Sequence, residues 1–353
     1  MSGRTYDRSL DLFKGLLVIL MSFCHVLQFF VDRQMFPWSG NFETYINLLV
    51  FPGFVYAYGA AFALAYPDAP FRSAAPRIAR SALKALGAFY LSGIGFRLLF
   101  ENKPFTAGTV RRVLLLWDIP GWSEFLASFF MLSVVCGALF PLLKSLSQHP
   151  AAAAGTAAAC LLFCFIPYQK VPGRLLPLLI GTDRYACFPV MQYFPYFLLG
   201  MFFHKRQAGR QRLCLWLIAA LMTVTGIARA KALGGLPSRF PPDIGWVCLS
   251  AIGVVCLHQL SLLLSWAGEK YLKQYDPFRL AVSFGRSSLF YLLTVNLTVF
   301  TLAGKGAAPV MKFGDRGLFG YPIAAPSGAF VWALVFLLSA RFLASIVRGA
   351  VRK

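Results

Sequence analysis

The chain has 353 residues, 58% of them hydrophobic and 13% charged, with 35 phenylalanines and a mean hydropathy of +0.65. So little polar surface cannot cover a water-soluble globule of this size, which leaves a polytopic membrane protein. The net charge of +21 is spread over short loops bordering apolar segments, with no soluble domain to grip a duplex, so the reading is anionic lipid headgroups or an anionic ligand at the inner surface, and not nucleic acid.

Stretches of about 20 mainly apolar residues lie at 10–31, 44–66, 81–100, 123–143, 151–167, 187–203, 213–227, 244–266, 280–303 and 327–347. They predict an all-α polytopic membrane protein: about ten transmembrane helices in a single bundle, one domain covering 1–353. The first span is too long, and lacks the small-residue cleavage site, to be a removable signal peptide. Basic clusters at 72–84 and 205–212 resist translocation and place the N- and C-termini in the cytoplasm. The short apolar piece 113–117 runs into Asp118, Pro120 and Gly121 and reads as an interfacial or re-entrant lead into the fourth span. Pro52-Gly53 and Pro195 are the candidate helix breakers.

The first span carries the most informative chemistry. Lys14 and His25 are eleven positions apart, so they share a helix face about 16 Å apart along the axis. Ionisable side chains at that depth are costly and by default face an interior cavity with a function. Asp11 lies near the start of the same helix, and Ser22 one turn before His25. An imidazole suits the removal of a proton from a hydroxyl or amine that attacks an activated carbonyl.

Elsewhere the residues carry blander readings. His149 and His204 sit at span ends, as exposed or headgroup-contacting side chains, and His258 is read as bonded to a neighbouring helix. Trp38, Trp117, Trp122, Tyr168, Tyr185 and Tyr193 mark the outer boundary as an interfacial belt, with sugar stacking as the sharper alternative. Arg111, Arg112, Arg174 and Arg184 in the outer loops could attract an anionic acceptor. Glu124, at the entrance of the fourth span, either positions that acceptor or pairs with one of these arginines, pairing being favoured. The eight cysteines show no CxxC spacing, which predicts neither a structural disulfide nor a metal site. GxSxG, P-loop, HExxH and GxGxxG motifs are absent.

The segment RSLDLFKGLLVILMSFCH (8–25) resembles the first helix of the transmembrane acyltransferases, in particular acyltransferase family 3 and the catalytic domain of heparan-α-glucosaminide N-acetyltransferase. Their pattern of Asp-x-x-(Arg/Lys)-Gly followed by a histidine falls on Asp11, Lys14, Gly15 and His25. Pro76-Arg77-Ile-Ala-Arg80 is similar to the family's basic motif at the inner end of the third span. The stretch from Phe194 to Gly200 is similar to its sixth-span signature, and the stretch from Gly285 through Arg286, Ser288 and Leu289 to Tyr291 to a late Gly-Arg-x-Ser-Leu segment. Lys14 stands where arginine is usual, and Thr294 or Asn296 occupies the neighbourhood of a late histidine.

The resemblance implies a membrane-bound acyltransferase that moves an acetyl or other short acyl group from cytoplasmic acetyl-CoA to a hydroxyl or amino group of a cell-envelope sugar, glycan or glycolipid at the outer face. O- and N-transfer both stay open, as do direct transfer, an acyl-histidine intermediate and homo-oligomerisation. The expected location is a bacterial-type plasma membrane. His25 would be the general base, with Asp11 and Ser22 beside it in the catalytic group. Lys14, Arg77, Arg80 and Arg286 would hold the phosphates of the donor. Ser22, Ser288 or Tyr291 would serve as oxyanion donors, and Glu124, Trp122 and Tyr291 would contact the acceptor. No metal is expected. The alternatives are a transporter or flippase of a glycan or lipid precursor, which predicts inverted repeats and broken helices, and a non-catalytic membrane partner with a degenerate site.

Overall fold

The computed structural model describes residues 6–66, 69–204, 209–272, 275–304 and 321–351, the last five as backbone only. The basic residues Arg4, Lys205, Arg206, Lys273, Arg352 and Lys353 lie outside these, and the Arg348 side chain is not described. Among the described residues the regular structure is helical. In chain order it runs α1 (Arg8–Phe30), α2 (Ser39–Ala65), α3 (Phe71–Gly95), α4 (Ala107–Leu114), α5 (Glu124–Ala138), α6 (Phe140–Leu146), α7 (Pro150–Leu161) and α8 (Leu176–Ile180). It continues with α9 (Val190–Phe203), α10 (Gly209–Leu233), α11 (Ile244–Leu249), α12 (Ala251–Ala267), α13 (Arg279–Arg286), α14 (Ser288–Gly304) and α15 (Pro326–Val351).

Each of the ten apolar stretches falls on a helix. Among the described residues six helices are long and apolar enough to cross a membrane, and eight are when each of two bent pairs counts as one span. These bent pairs are the fourth and ninth stretches: α5 turns by 80° into α6, and α13 by 90° into α14. Pro141, in the first turn of α6, has no N–H to continue the α5 ladder. Composition records depth in the bilayer but not direction, so neither bend shows in a hydropathy pattern. Pro52 and Pro195, the expected breakers, instead lie inside the continuous helices α2 and α9. The fifth and sixth stretches form the shorter apolar helices Pro150–Phe165 and Val190–Phe203.

α1 is the hub, packed against α2, α12, α13, α14 and α15. Its approach to α13 depends on two glycines: a Cβ on Gly15 would strike the Ala281 carbonyl oxygen, and one on Gly285 the Asp11 carbonyl oxygen. Backbones this close bring the start of α1, with Asp11 and Lys14, against Arg286.

Asp7 caps α1, one carboxylate oxygen accepting from the Leu10 N–H at 3.1 Å and from the Ser9 hydroxyl at 2.7 Å. Its other oxygen lies 2.8 Å from His204 Nε2. From there a chain continues inward, His204 Nδ1 to His258 Nε2 at 3.3 Å and His258 Nδ1 to the Tyr56 hydroxyl at 3.2 Å. With both rings neutral and Asp7 ionised, one polarity fits: Tyr56 donates to His258, His258 to His204, and His204 to Asp7. His204 is therefore not at the headgroups but buried, 4% exposed, through a partner 197 positions away in sequence.

Burial opposes the charge on Asp7, but bonds from His204, Ser9 and Leu10 outweigh it and hold the carboxyl well below its ordinary range. A folded-state pKa depressed in this way contributes stability that is fully present above the unfolded value, about 3.9, and is lost as pH falls below it. Asp7→Asn is thus expected to lower the melting temperature in detergent by several degrees at pH 7, with the gap to the parent protein narrowing below about pH 4. A gap that stays constant from pH 7 to pH 3.5 would show that the carboxylate charge is not what the cap contributes.

Candidate functional site

His25 sits in the buried stretch of α1, 4% exposed, and its Nδ1 is 2.7 Å from Asn296 Oδ1 on α14. The Asn296 amide nitrogen donates to the Trp122 carbonyl at 3.1 Å. That bond orients the amide, so Oδ1 must be the acceptor toward His25, and His25 Nδ1 carries the hydrogen. The lone pair is left on Nε2, for which no hydrogen bond occurs among the described residues. His25 lines a chamber of about 200 Å³ with Met21, Gln28, Asn47, Trp122, Glu124, Phe125, Phe188, Arg239 and Phe240.

Two loops furnish the chamber. The first leads from α3 through a π-helical turn (Phe96–Phe100) and α4 to Trp122, and it is pinned where Arg97 Nε donates to Asp118 at 2.8 Å. Trp122 has φ +56°, a left-handed conformation that costs a bulky residue about 1–3 kcal/mol and persists only where surroundings over-determine it. Here they do: its carbonyl accepts from Asn296, and its indole N–H donates to Gln28 at 2.6 Å. Gln28 in turn donates to Glu43 at 2.8 Å. Glu124 follows as the first residue of α5, where the helix dipole favours a carboxylate. It is buried, and its Oε2 has no hydrogen-bond partner.

The second loop, 234–243, is held by Asp243, which accepts from Arg229 at 2.9 Å and from the Gly245 N–H at 2.7 Å. It presents Arg239 against the rings of Phe188 and Phe240, which pack edge-on upon each other, with its guanidinium carbon 5.1 and 4.6 Å from their centroids.

Toward the start of α1 a second chamber, about 320 Å³, is lined by Lys14, Tyr58, Ser81, Lys84, Phe125, Phe129 and Ser288 among others. Phe125 belongs to both, standing between this space and His25. A third chamber, about 640 Å³, is lined by Asp7, Asp11, Lys14, Arg77, Arg80, Ser81 and Lys84. It shares Lys14, Ala61, Ser81 and Lys84 with the second. Among the described residues Arg77, Arg80 and Lys84 make no ion pair, whereas Lys14 bonds Asp11 at 2.7 Å. The three spaces thus succeed one another along the face of α1 that carries Lys14, Met21, His25 and Gln28.

The residues singled out in the sequence divide accordingly. His25, Trp122 and Glu124 meet in the first chamber, and Asp11, Lys14, Arg77 and Arg80 in the third. Asp11 is not beside His25: fourteen positions separate them on α1, about 21 Å of rise, and Asp11 bonds Lys14 and lies 3.5 Å from Arg286 Nε. Arg286 lines not the third chamber but a neighbouring basin with Tyr6, Arg8, Glu269, Asp276 and Arg279. Ser22 is buried with its hydroxyl unpartnered and lines none of the three chambers. Tyr291 packs edge-on against Phe284 at 4.8 Å and likewise lines none of them. Ser288 does, in the second chamber.

Glu124 forms no salt bridge among the described residues, so the expected pairing with an outer-loop arginine is not made. Arg111 and Arg174 instead lie over the Trp117 ring, 5.8 and 3.9 Å from its centroid. Tyr168 and Tyr193, expected in an interfacial belt, are buried, Tyr193 against Phe51 and Phe188. Arg239, Asn47 and Gln28 were not distinguished in the sequence: each is one polar residue among many, brought to the chamber only by tertiary packing. No protein-family model, curated protein or solved structure matches the chain.

Proposed function

We propose that this protein is an integral membrane acyltransferase that carries an acetyl or other short acyl group from cytoplasmic acyl-CoA, across the bundle, to a hydroxyl or amine of an envelope sugar, glycan or glycolipid. The observation that supports this reading best is the succession of chambers along α1, cationic at one end and ending on His25 at the other. In this reading ten helices cross the membrane, both termini are cytoplasmic, and the membrane is a bacterial-type plasma membrane. The shorter helices α7 and α9 and the two bent pairs then all count as crossings.

Coenzyme A is a co-substrate of several phosphate charges. Arg77 and Arg80 supply planar donor forks that make no ion pair among the described residues, and Lys14 and Lys84 supply point charges where the pantetheine arm enters the second chamber. The thioester passes Phe125 to His25. Nε2 of His25 takes the proton of the acceptor O–H or N–H as that atom attacks the thioester carbonyl carbon. The new C–O or C–N bond forms, the C–S bond breaks, and the thiolate regains the proton from the imidazolium, so that charge and atoms balance.

The bent pair α13–α14 favours a second reading, a transporter or flippase, since broken helices line many transport sites. Purified protein in proteoliposomes given acetyl-CoA separates the two. Thioester cleavage that depends on added acceptor is expected for the enzyme. Movement of substrate across the vesicle membrane with the thioester intact would make it a transporter.

A further inference from the structure

The chamber at His25 contains two orphaned polar atoms of opposite character. Glu124 Oε2 and Arg239 Nε are both buried without a hydrogen-bond partner, yet their side chains form no ion pair with each other although both line the same small space. Buried polar groups are normally satisfied, and an unsatisfied charged group costs more than a neutral one. Two unsatisfied atoms of opposite character on residues that line one chamber point to a ligand that closes both.

Placement gives that ligand a polarity. Glu124 and His25 are buried, 7% and 4% exposed, and both turn acceptor atoms to the interior: a carboxylate oxygen and the Nε2 lone pair. Groups that satisfy them are hydroxyls or amines. Arg239 is half-buried, on a loop, and turns only donors to the ligand; its fork matches a carboxylate or phosphate. The side-chain amide nitrogen of Asn47, whose oxygen accepts from Cys24 Sγ at 3.7 Å, adds a neutral donor to the same lining. Trp122, Phe125, Phe188 and Phe240 supply flat apolar walls. A space of about 200 Å³ is below the roughly 300–1,000 Å³ typical of drug-sized ligands, so it takes one ring-sized unit.

We infer that the acceptor is an acidic sugar unit: Arg239 anchors its carboxylate or phosphate at the chamber entrance, while Glu124 receives a hydroxyl or amine beside the one that His25 deprotonates. This rests on the acyl-transfer reading for its word acceptor, but the binding itself needs no donor and is tested apart from chemistry. Arg239 is here a specificity residue and Glu124 a positioning residue.

The test uses the full-length protein in detergent and three probes, glucose, glucuronate and glucose 1-phosphate, with affinity read from ligand-induced thermal shift. The parent protein is expected to bind at least one anionic probe about ten-fold or more tightly than glucose, equivalent to one charge-assisted contact of about 1.4 kcal/mol. Glucuronate against glucose 1-phosphate tells carboxylate from phosphate. Arg239→Gln is expected to abolish the preference, Arg239→Lys to keep part of it, and Glu124→Gln to weaken all three probes alike with the preference intact. The apo melting temperature of each variant identifies any that misfolds, and Arg239→Lys, which keeps the charge and most of the stem, carries the test if Arg239→Gln does. Equal affinity for the three probes, binding of none of them, or a preference that survives Arg239→Gln overturns the inference. Selective binding without thioester cleavage would leave an acidic-sugar site intact and remove the acyltransferase reading.

Discussion

His25→Ala lowers acceptor-dependent thioester cleavage by about 100-fold or more, the expected loss of a positioned general base, with little change in the KM for the acyl donor. The proposed donor contacts lie in a chamber eleven or more positions back along α1, at Lys14 and beyond, so a truncation at His25 leaves them in place. The geometry makes a sharper companion statement. Asn296 reaches His25 at 2.7 Å while donating to the Trp122 carbonyl at 3.1 Å, and these two bonds together decide which ring nitrogen carries the hydrogen. Asn296→Ala removes the device that keeps the lone pair on Nε2. Removing orienting partners of metal-bound histidines costs about 10- to 100-fold, and a fall in kcat of that order is expected here, again without a change in donor KM. A merely structural role for Asn296 would move melting temperature and both kinetic constants together. Full turnover in His25→Ala would end its assignment as the base, even were acyl transfer itself observed.

How legible this was in the chain depends on whether a residue's role is local. His25 and Lys14 stand out because an ionisable side chain inside an apolar helix is expensive wherever that helix packs, and helical periodicity alone puts the two on one face. Arg77 and Arg80 form part of a basic cluster at a span end, another local signal. Asn296 lies 271 positions from His25, and Arg239 is one loop arginine among several. What makes Arg239 distinctive is its place against Phe188, far from it in sequence, which no local pattern encodes. His204 fails for the same reason, since its span-end position gave no sign of Asp7. Asp11 is the opposite case: local proximity in sequence suggested company for His25, whereas helical rise carries it to the far end, where Lys14 and Arg286 hold it. The bends after α5 and α13 leave no mark in a hydropathy pattern, which records depth in the bilayer and not direction.

Replacing Arg77 and Arg80 together with alanine raises the KM for acetyl-CoA by about ten-fold or more, the equivalent of losing at least one charge-assisted phosphate contact of about 1.5 kcal/mol, while kcat stays within about two-fold. The split follows from position. Both arginines line the third chamber without an ion pair among the described residues, so their guanidinium groups are open to the nucleotide phosphates, and neither lines the chamber of His25. On the proposed reading their binding contribution is uniform between ground and transition states, and uniform binding appears in KM. Because both side chains are exposed, the attraction is screened by salt. The parent KM is expected to rise with ionic strength more steeply than that of the double variant. Arg77→Lys with Arg80→Lys separates charge from geometry: it restores the salt response but not the full affinity, since an ammonium cannot make the bidentate contact. A donor KM unchanged in the alanine pair would move the nucleotide site elsewhere, and the neighbouring basin of Arg8, Arg279 and Arg286 is where the same experiment would next be directed.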